Sequence, residues 1–147
     1  MAARFAEVYE AIVSRNPEHD IEPSLGRVQR VMDYLGEPQK TFKVVQITGT
    51  NGKTSTARMV EALVRAYGLR TGLFTSPHLT SITERIQIDG EPISPERFIE
   101  IYDDVAPYID LVDQESLAGG GPRLSFFEVL TVMAFAAFAV AGITERG

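Results

Sequence analysis

Seven residues, Gly49-Thr50-Asn51-Gly52-Lys53-Thr54-Ser55, stand between an apolar, β-branched run at 42–47 and a segment with helical periodicity. That order of strand, glycine loop and helix constrains the fold more than any other feature of the chain. Glycines let backbone N–H groups turn inward onto phosphate oxygens, Lys53 brings a mobile positive charge, and the Thr54 hydroxyl can ligate Mg²⁺ where the helix begins. The spacing is G-x-x-G-K-T. The longer G-x-x-x-x-G-K-[ST] loop would need a glycine at position 47, where Ile47 stands. The plain alternative is a turn rich in small residues that contains a lysine.

The surrounding pattern extends the α/β reading. Residues 43–48 suit a strand buried on both faces. Residues 54–67 carry Met59, Leu63 and Tyr67 at helical spacing toward a core, Gly68 stops that helix, and 71–75 is the next strand. A right-handed crossover makes the two strands parallel members of one sheet. Upstream, Phe5, Val8, Tyr9, Ile12 and Val13 mark a helix closed by Pro17. Ser24 can cap a second, with Leu25, Val28, Val31, Met32 and Leu35 inward and Gly36 at its stop.

Downstream, Arg85 to Ile88 alternates, Asp89-Gly90 is a strong two-residue turn, and 91–93 returns, so a small hairpin is expected to project. Ser94-Pro95-Glu96 opens another helix, which Pro107 should kink or divide. Asp103, Asp104, Asp110, Asp113 and Glu115 read as its solvated face. After the glycine-rich loop at 118–122, Ser125 to Glu128 forms a capping box into an apolar helix. The expected architecture is three-layer α/β/α with a parallel sheet. Only two strands of that sheet are evident, too few for a complete doubly wound domain, so a truncated chain is expected.

Composition narrows the function. A net charge of −6 argues against general nucleic-acid binding, which needs a basic surface to neutralise phosphates. The apolar stretch at 129–141 is well short of the ~20 residues that span a bilayer, so no membrane partner is expected. No cysteine is present, which excludes a disulfide framework, and the start of the chain lacks the layout of a signal peptide. A monomer in a reducing cytoplasm is the simplest expectation.

Taken together, residues 47–55, then Thr75-Ser76-Pro77-His78-Leu79, then Glu84-Arg85-Ile86 with the Asp89-Gly90 turn, resemble folylpolyglutamate synthase/dihydrofolate synthase, the folate branch of the Mur ligase family. The resemblance covers nearly the whole chain. About 45 residues ahead of the loop are too few for the nucleotide-sugar domain of a cell-wall Mur ligase. The fold implied for 1–147 is part of the P-loop-containing central, ATP-binding domain, without its C-terminal part and without the glutamate-binding domain. The activity implied is ATP-dependent amide synthesis: a pteroate or folate carboxylate attacks the γ-phosphate, and L-glutamate displaces phosphate from the acyl phosphate.

The resemblance also implies roles. Gly49, Thr50, Asn51, Gly52, Lys53, Thr54 and Ser55 hold ATP, Lys53 being catalytic, while Ser76 is the Mg²⁺ ligand with Thr54 as second candidate. Ser76 otherwise merely initiates the turn before Pro77. On the pterin side stand Ile21, Glu22 and Pro23, where the family's Leu-Gly after the acid is Pro23-Ser24 here. His78 either contacts substrate or hydrogen-bonds locally. Arg85 either grips an anion or pairs with Glu84 or Glu91. Ser125, Phe126, Phe127 and Glu128 match a segment lining the pterin site, and a capping box with two core phenylalanines explains the same residues. The family's later acidic Mg²⁺ ligand, metal-binding histidine and modified lysine have no counterpart in 1–147, so this stretch alone is expected to lack ligase activity. Two rival readings are an unrelated P-loop kinase or ATPase and a noncatalytic nucleotide-binding remnant.

Overall fold

The computed structural model describes residues 2–15, 25–41, 53–75 and 80–141. Five helices and three short strands account for most of them. The order is α1 (Ala2–Val13), α2 (Leu25–Tyr34), a 3₁₀ turn (Pro38–Thr41), α3 (Lys53–Ala66), β1 (Gly72–Phe74), a second 3₁₀ turn (Ile82–Arg85), β2 (Ile86–Ile88), β3 (Glu91–Pro92), α4 (Pro95–Ala118) and α5 (Phe126–Ala141).

The core lies where α5 is surrounded. Its sequence is apolar on nearly every face, and Val129, Leu130, Val132, Met133, Ala134, Ala137 and Phe138 are all buried. Such a helix needs neighbours on several sides, and it packs against α1, α2, α4, β1 and β2. Helix α4 turns Phe98, Ile101, Val105, Ile109 and Val112 inward at three- and four-residue spacing. Helix α1 adds Val8 and Ile12, and α2 adds Val31 and Met32. Each such side chain contributes about 1.5–3 kcal/mol relative to exposure. Phe5 meets Phe98 edge to face with centroids 5.6 Å apart.

The helix ends follow the sequence signals. Gly36 has φ of 88°, its N–H donates to Asp33 O and the Glu37 N–H donates to Met32 O, a Schellman closure of α2. The Ser94 hydroxyl accepts from Arg97 N at 3.1 Å with Pro95 in the first turn of α4. Helix α4 runs through Pro107 as one 24-residue element and is not divided there. Pro107 lies on the exposed face, so the carbonyl it leaves unbonded faces water. Asp113, expected on the solvated face, is instead buried. The caps expected at Pro17 and Ser24 lie outside the described residues.

The described sheet is antiparallel throughout, in order β1-β2-β3. The turn at Asp89 (φ 52°) and Gly90 (φ 86°) joins β2 to β3 as the Asp-Gly signal requires. The hairpin does not project: β2 pairs with β1, Leu73 opposite Gln87. The parallel partner expected for β1, at 43–48, lies outside the described residues. Phe138 of α5 lies against the start of β1, where a Cβ on Gly72 would come within 2.6 Å of its ring.

Helix α3 shows a different face from the one its spacing suggests. Met59, Leu63 and Tyr67 are 66, 61 and 85% exposed, while Val60, Glu61 and Val64 turn inward. Two apolar stripes about one position apart are both compatible with the sequence, and β1 packs on the one that contains a carboxylate.

Candidate functional site

Helix α3 begins at Lys53, so Lys53, Thr54 and Ser55 are its first three residues. The first N–H groups of a helix have no partner within it, and its dipole places partial positive charge there. This end of α3 is therefore suited to an anion. Gly49, Thr50, Asn51 and Gly52 lie outside the described residues, as do Ile21, Glu22, Pro23, Ser76 and His78.

A polar cluster fastens α3 to the sheet. Glu61 Oε2 accepts from Thr71 Oγ1 at 2.5 Å and from Arg65 Nε at 2.8 Å, and Oε1 accepts from Arg65 Nη2 at 3.3 Å. Burial pushes the Glu61 carboxyl up, but the hydrogen bonds from Arg65 and Thr71 outweigh it and hold the group below its ordinary value. Thr71 is locked in turn to the β2–β3 turn: its N–H donates to Asp89 Oδ1 at 3.0 Å, and the Asp89 N–H donates to its carbonyl at 2.8 Å.

A second group forms where the sheet meets the start of α5. Ser81 caps the 3₁₀ turn that carries Arg85, and Glu84 Oε2 accepts the N–H groups of Thr80 and Ser81. Arg85 is buried, its Cζ 4.9 Å from the centroid of the Phe126 ring, a cation–π arrangement. Burial pushes its guanidinium below the ordinary value, opposed by the nearby Tyr9. Phe127 packs against Phe74 of β1 with centroids 5.5 Å apart. The structure thus brings Arg85 against Phe126, and Phe74 against the neighbouring Phe127, across long stretches of sequence.

Ser125 and Glu128 form the capping box in full. Ser125 Oγ accepts from Glu128 N at 3.1 Å, and Glu128 Oε1 accepts from Ser125 N at 2.8 Å. Glu128 also receives both arms of Arg27, at 3.1 and 2.9 Å, which ties α2 to α5. The Ser125 hydroxyl and the Glu128 carboxylate therefore hold structure in this state.

Sequence reasoning passed over two polar features. Glu61 and Arg65 stand four residues apart, a visible helical pair, but nothing in the pattern marks Glu61 as facing inward. Arg15 and Asp113 form a buried ion pair, Arg15 Nη2 to Asp113 Oδ2 at 3.0 Å, with Leu124 N donating to Asp113 Oδ1 at 2.8 Å. Their separation of 98 residues leaves no local signal. Among the described residues no cluster of three or more His, Asp or Glu is placed to hold a metal ion, and no helix is long and apolar enough to cross a membrane.

No family model matches the chain. Comparison with curated proteins finds the dihydrofolate synthase/folylpolyglutamate synthase of Mycobacterium tuberculosis, 52% identical over 144 residues, covering 96% of this chain and 30% of that protein. Among solved structures, the Mycobacterium tuberculosis folylpolyglutamate synthase complexed with ADP and AMPPCP superposes with a TM-score of 0.88 at 49% identity, over 97% of this chain and 30% of that one. A folylpolyglutamate synthase complex with AMPPCP and folate superposes with a TM-score of 0.83 at 28% identity, over 95% of this chain and 33% of that one. The chain spans about 30% of the length of the curated relative it matches at 52% identity.

Proposed function

We propose, from the premise that this chain is homologous to folylpolyglutamate synthase/dihydrofolate synthase, that residues 1–147 form the nucleotide-handling part of an ATP-dependent ligase. That ligase joins L-glutamate to dihydropteroate, to folates already carrying glutamate, or to both, in the cytoplasm. The observation that carries the reading is the near-complete superposition on a relative solved with ADP and AMPPCP, together with a helix that starts at Lys53. Homology to ligases sets aside the unrelated kinase. The architecture proposed is the P-loop-containing central domain of a Mur-type ligase.

In this reading Gly49 to Ser55 cradle the ATP phosphates with backbone N–H groups and the Thr54 end of α3. Lys53 offsets charge that spreads over the γ-phosphoryl oxygens as the substrate carboxylate oxygen bonds to phosphorus and the bond to ADP breaks. The glutamate amine then bonds to the acyl carbon, phosphate leaves, and the amine loses a proton. Ser76 and Thr54 would hold Mg²⁺, which would supply neutralising charge to the phosphates when bound. Preorganised donors of this kind are worth about 10²–10³ in rate each. On the acceptor side, Phe126 and Phe127 offer aromatic surface and Arg85 a buried cation to a pteridine–benzoate ligand. Ile21, Glu22, Pro23 and His78 complete that proposed side, while Ser125 and Glu128 cap the helix that carries the two phenylalanines.

Thermal unfolding of the purified chain with Mg-AMPPCP tests the nucleotide half. Saturation at a hundred times Kd stabilises by about 2.7 kcal/mol, which raises Tm by roughly 5–10 °C for a domain of this size. Lys53→Ala should abolish the shift. A wild-type chain that gains nothing at millimolar nucleotide would overturn the proposal in favour of a remnant that no longer binds nucleotide. Equal shifts in wild type and Lys53→Ala would place the site elsewhere.

A further inference from the structure

We infer that Glu61 is a positioning residue for the nucleotide loop: its inward-facing carboxylate pins α3 to the start of β1 and so sets where residues 53 and 54 stand relative to the sheet. The inference rests on the nucleotide reading above and goes beyond it, because Glu61 lies more than two helical turns from the loop.

Three observations lead there. Among the α3 residues whose side chains are described, Glu61 is the one that is buried, at 8% exposure, while Met59 and Leu63 face outward. A polar group thus sits at the centre of the described inward face of α3, flanked by the half-buried Val60 and Val64. Second, the contact is relayed rather than isolated. Glu61 binds the Thr71 hydroxyl, and Thr71 exchanges two hydrogen bonds with Asp89 in the β2–β3 turn. Third, Arg65 closes the same cluster from the helix side. It donates twice to Glu61, and its guanidinium lies so close to Gly90 that a Cβ there would come within 2.7 Å of Cζ.

The geometry converts a small tilt into a large displacement at the loop. Lys53 precedes Glu61 by eight residues, about 12 Å along the helix axis at 1.5 Å per residue. A pivot of about 10° at Glu61 would move the helix start by about 2 Å, when a misplacement of 1 Å can already cost about 10²-fold in a reaction that depends on alignment. Glu61 touches neither nucleotide nor substrate, so its effect must pass through α3.

Two variants in the full 147-residue chain test this. Glu61→Gln removes the charge that Arg65 grips, and Thr71→Val removes the hydroxyl without altering the helix. Thr71→Ser, which keeps the hydroxyl, serves as the rescue. In the absence of nucleotide, exchange of the hydrogen-bonded amides of α3, residues 57–66, should quicken about tenfold in Glu61→Gln and Thr71→Val, the size expected for losing one buried charge-assisted hydrogen bond, while α4 and α5 keep wild-type protection. Mg-AMPPCP affinity by calorimetry should fall about tenfold in the same two variants and return to wild type in Thr71→Ser. Unchanged exchange in α3 would overturn the inference. So would faster exchange with unchanged affinity, which would make the cluster purely structural. If the wild-type chain binds no nucleotide, the function proposed above fails, and the exchange comparison alone decides whether Glu61 pins the helix.

Discussion

Replacing Asp113 by alanine should be among the most damaging single changes in the described part of the molecule. The substitution removes three hydrogen bonds at once, from Arg15 Nη2 at 3.0 Å, Arg15 Nη1 at 3.4 Å and Leu124 N at 2.8 Å. Arg15 keeps one described partner, the Leu124 carbonyl at 3.0 Å, and its Nε already has none among the described residues. A buried guanidinium stripped of its counter-charge costs about 3–5 kcal/mol, and a buried N–H left without an acceptor about 1–3 kcal/mol. These overlap, and a total near 4 kcal/mol is expected. That is a large part of the ~5–15 kcal/mol stability of an ordinary domain, and corresponds to a fall in Tm of about 8–16 °C. Asp113→Asn retains an acceptor for Leu124 N and should be milder by about the value of that one N–H. The double variant Arg15→Met, Asp113→Leu removes both charges together and should be more stable than either single variant. Urea unfolding followed by far-UV circular dichroism measures wild type, Asp113→Ala, Asp113→Asn, the double variant and its two component singles, Arg15→Met and Asp113→Leu, with the midpoint moving and the slope constant. An alanine variant within about 1 kcal/mol of wild type would refute the reasoning, and so would a double variant as unstable as the sum of the two singles. The pair also anchors the segment that leads into α5, so its loss should loosen the Ser125–Glu128 cap.

Two further outcomes follow from the same geometry. Ser125→Ala removes the cap acceptor for Glu128 N and should cost about 1 kcal/mol, a fall of about 2–4 °C by calorimetry; no change would mean that the hydroxyl serves something other than the helix. Glu61, held below the ordinary carboxylate value of 4.5 by Arg65 and Thr71 against the opposing effect of burial, stabilises the fold fully above that pH and loses its contribution as pH falls through its lower folded value. Urea midpoints at pH 5 and pH 3 should therefore drop further for wild type than for Glu61→Gln, and parallel drops would contradict the assignment.

Much of the helical architecture was legible because its signals are local. The periodicity of Phe5, Val8 and Ile12, the Ser94-Pro95 start, the Ser125 to Glu128 box and the Asp89-Gly90 turn each specify backbone within a few residues, and the structure shows each of them. What escaped was the set of pairings between distant segments. Nothing near Leu73 announces that it lies opposite Gln87. The inward face of α3 was misjudged because a hydrophobic pattern cannot give weight to a carboxylate whose partners, Thr71 and Arg65, become visible only in three dimensions. Asp113 escaped likewise, as its acidic neighbours on α4 resemble any solvated helix face. On the acceptor side, Arg85 and the two phenylalanines were named from sequence, yet their meeting depends on β2 crossing beside the start of α5. The capping-box alternative for Ser125 and Glu128 is the one their hydrogen bonds satisfy.

The contact between Gly72 and Phe138 reaches past stability into how this protein can vary. A Cβ at position 72 would lie 2.6 Å from two atoms of a ring carried by a helix sixty-six residues later in the chain. The two positions share one packing volume, and whatever one of them gains the other must give up. A larger residue at 72 requires the Phe138 ring to shift or give way to a smaller side chain, so the first residue of β1 and the last buried turn of α5 constrain one another.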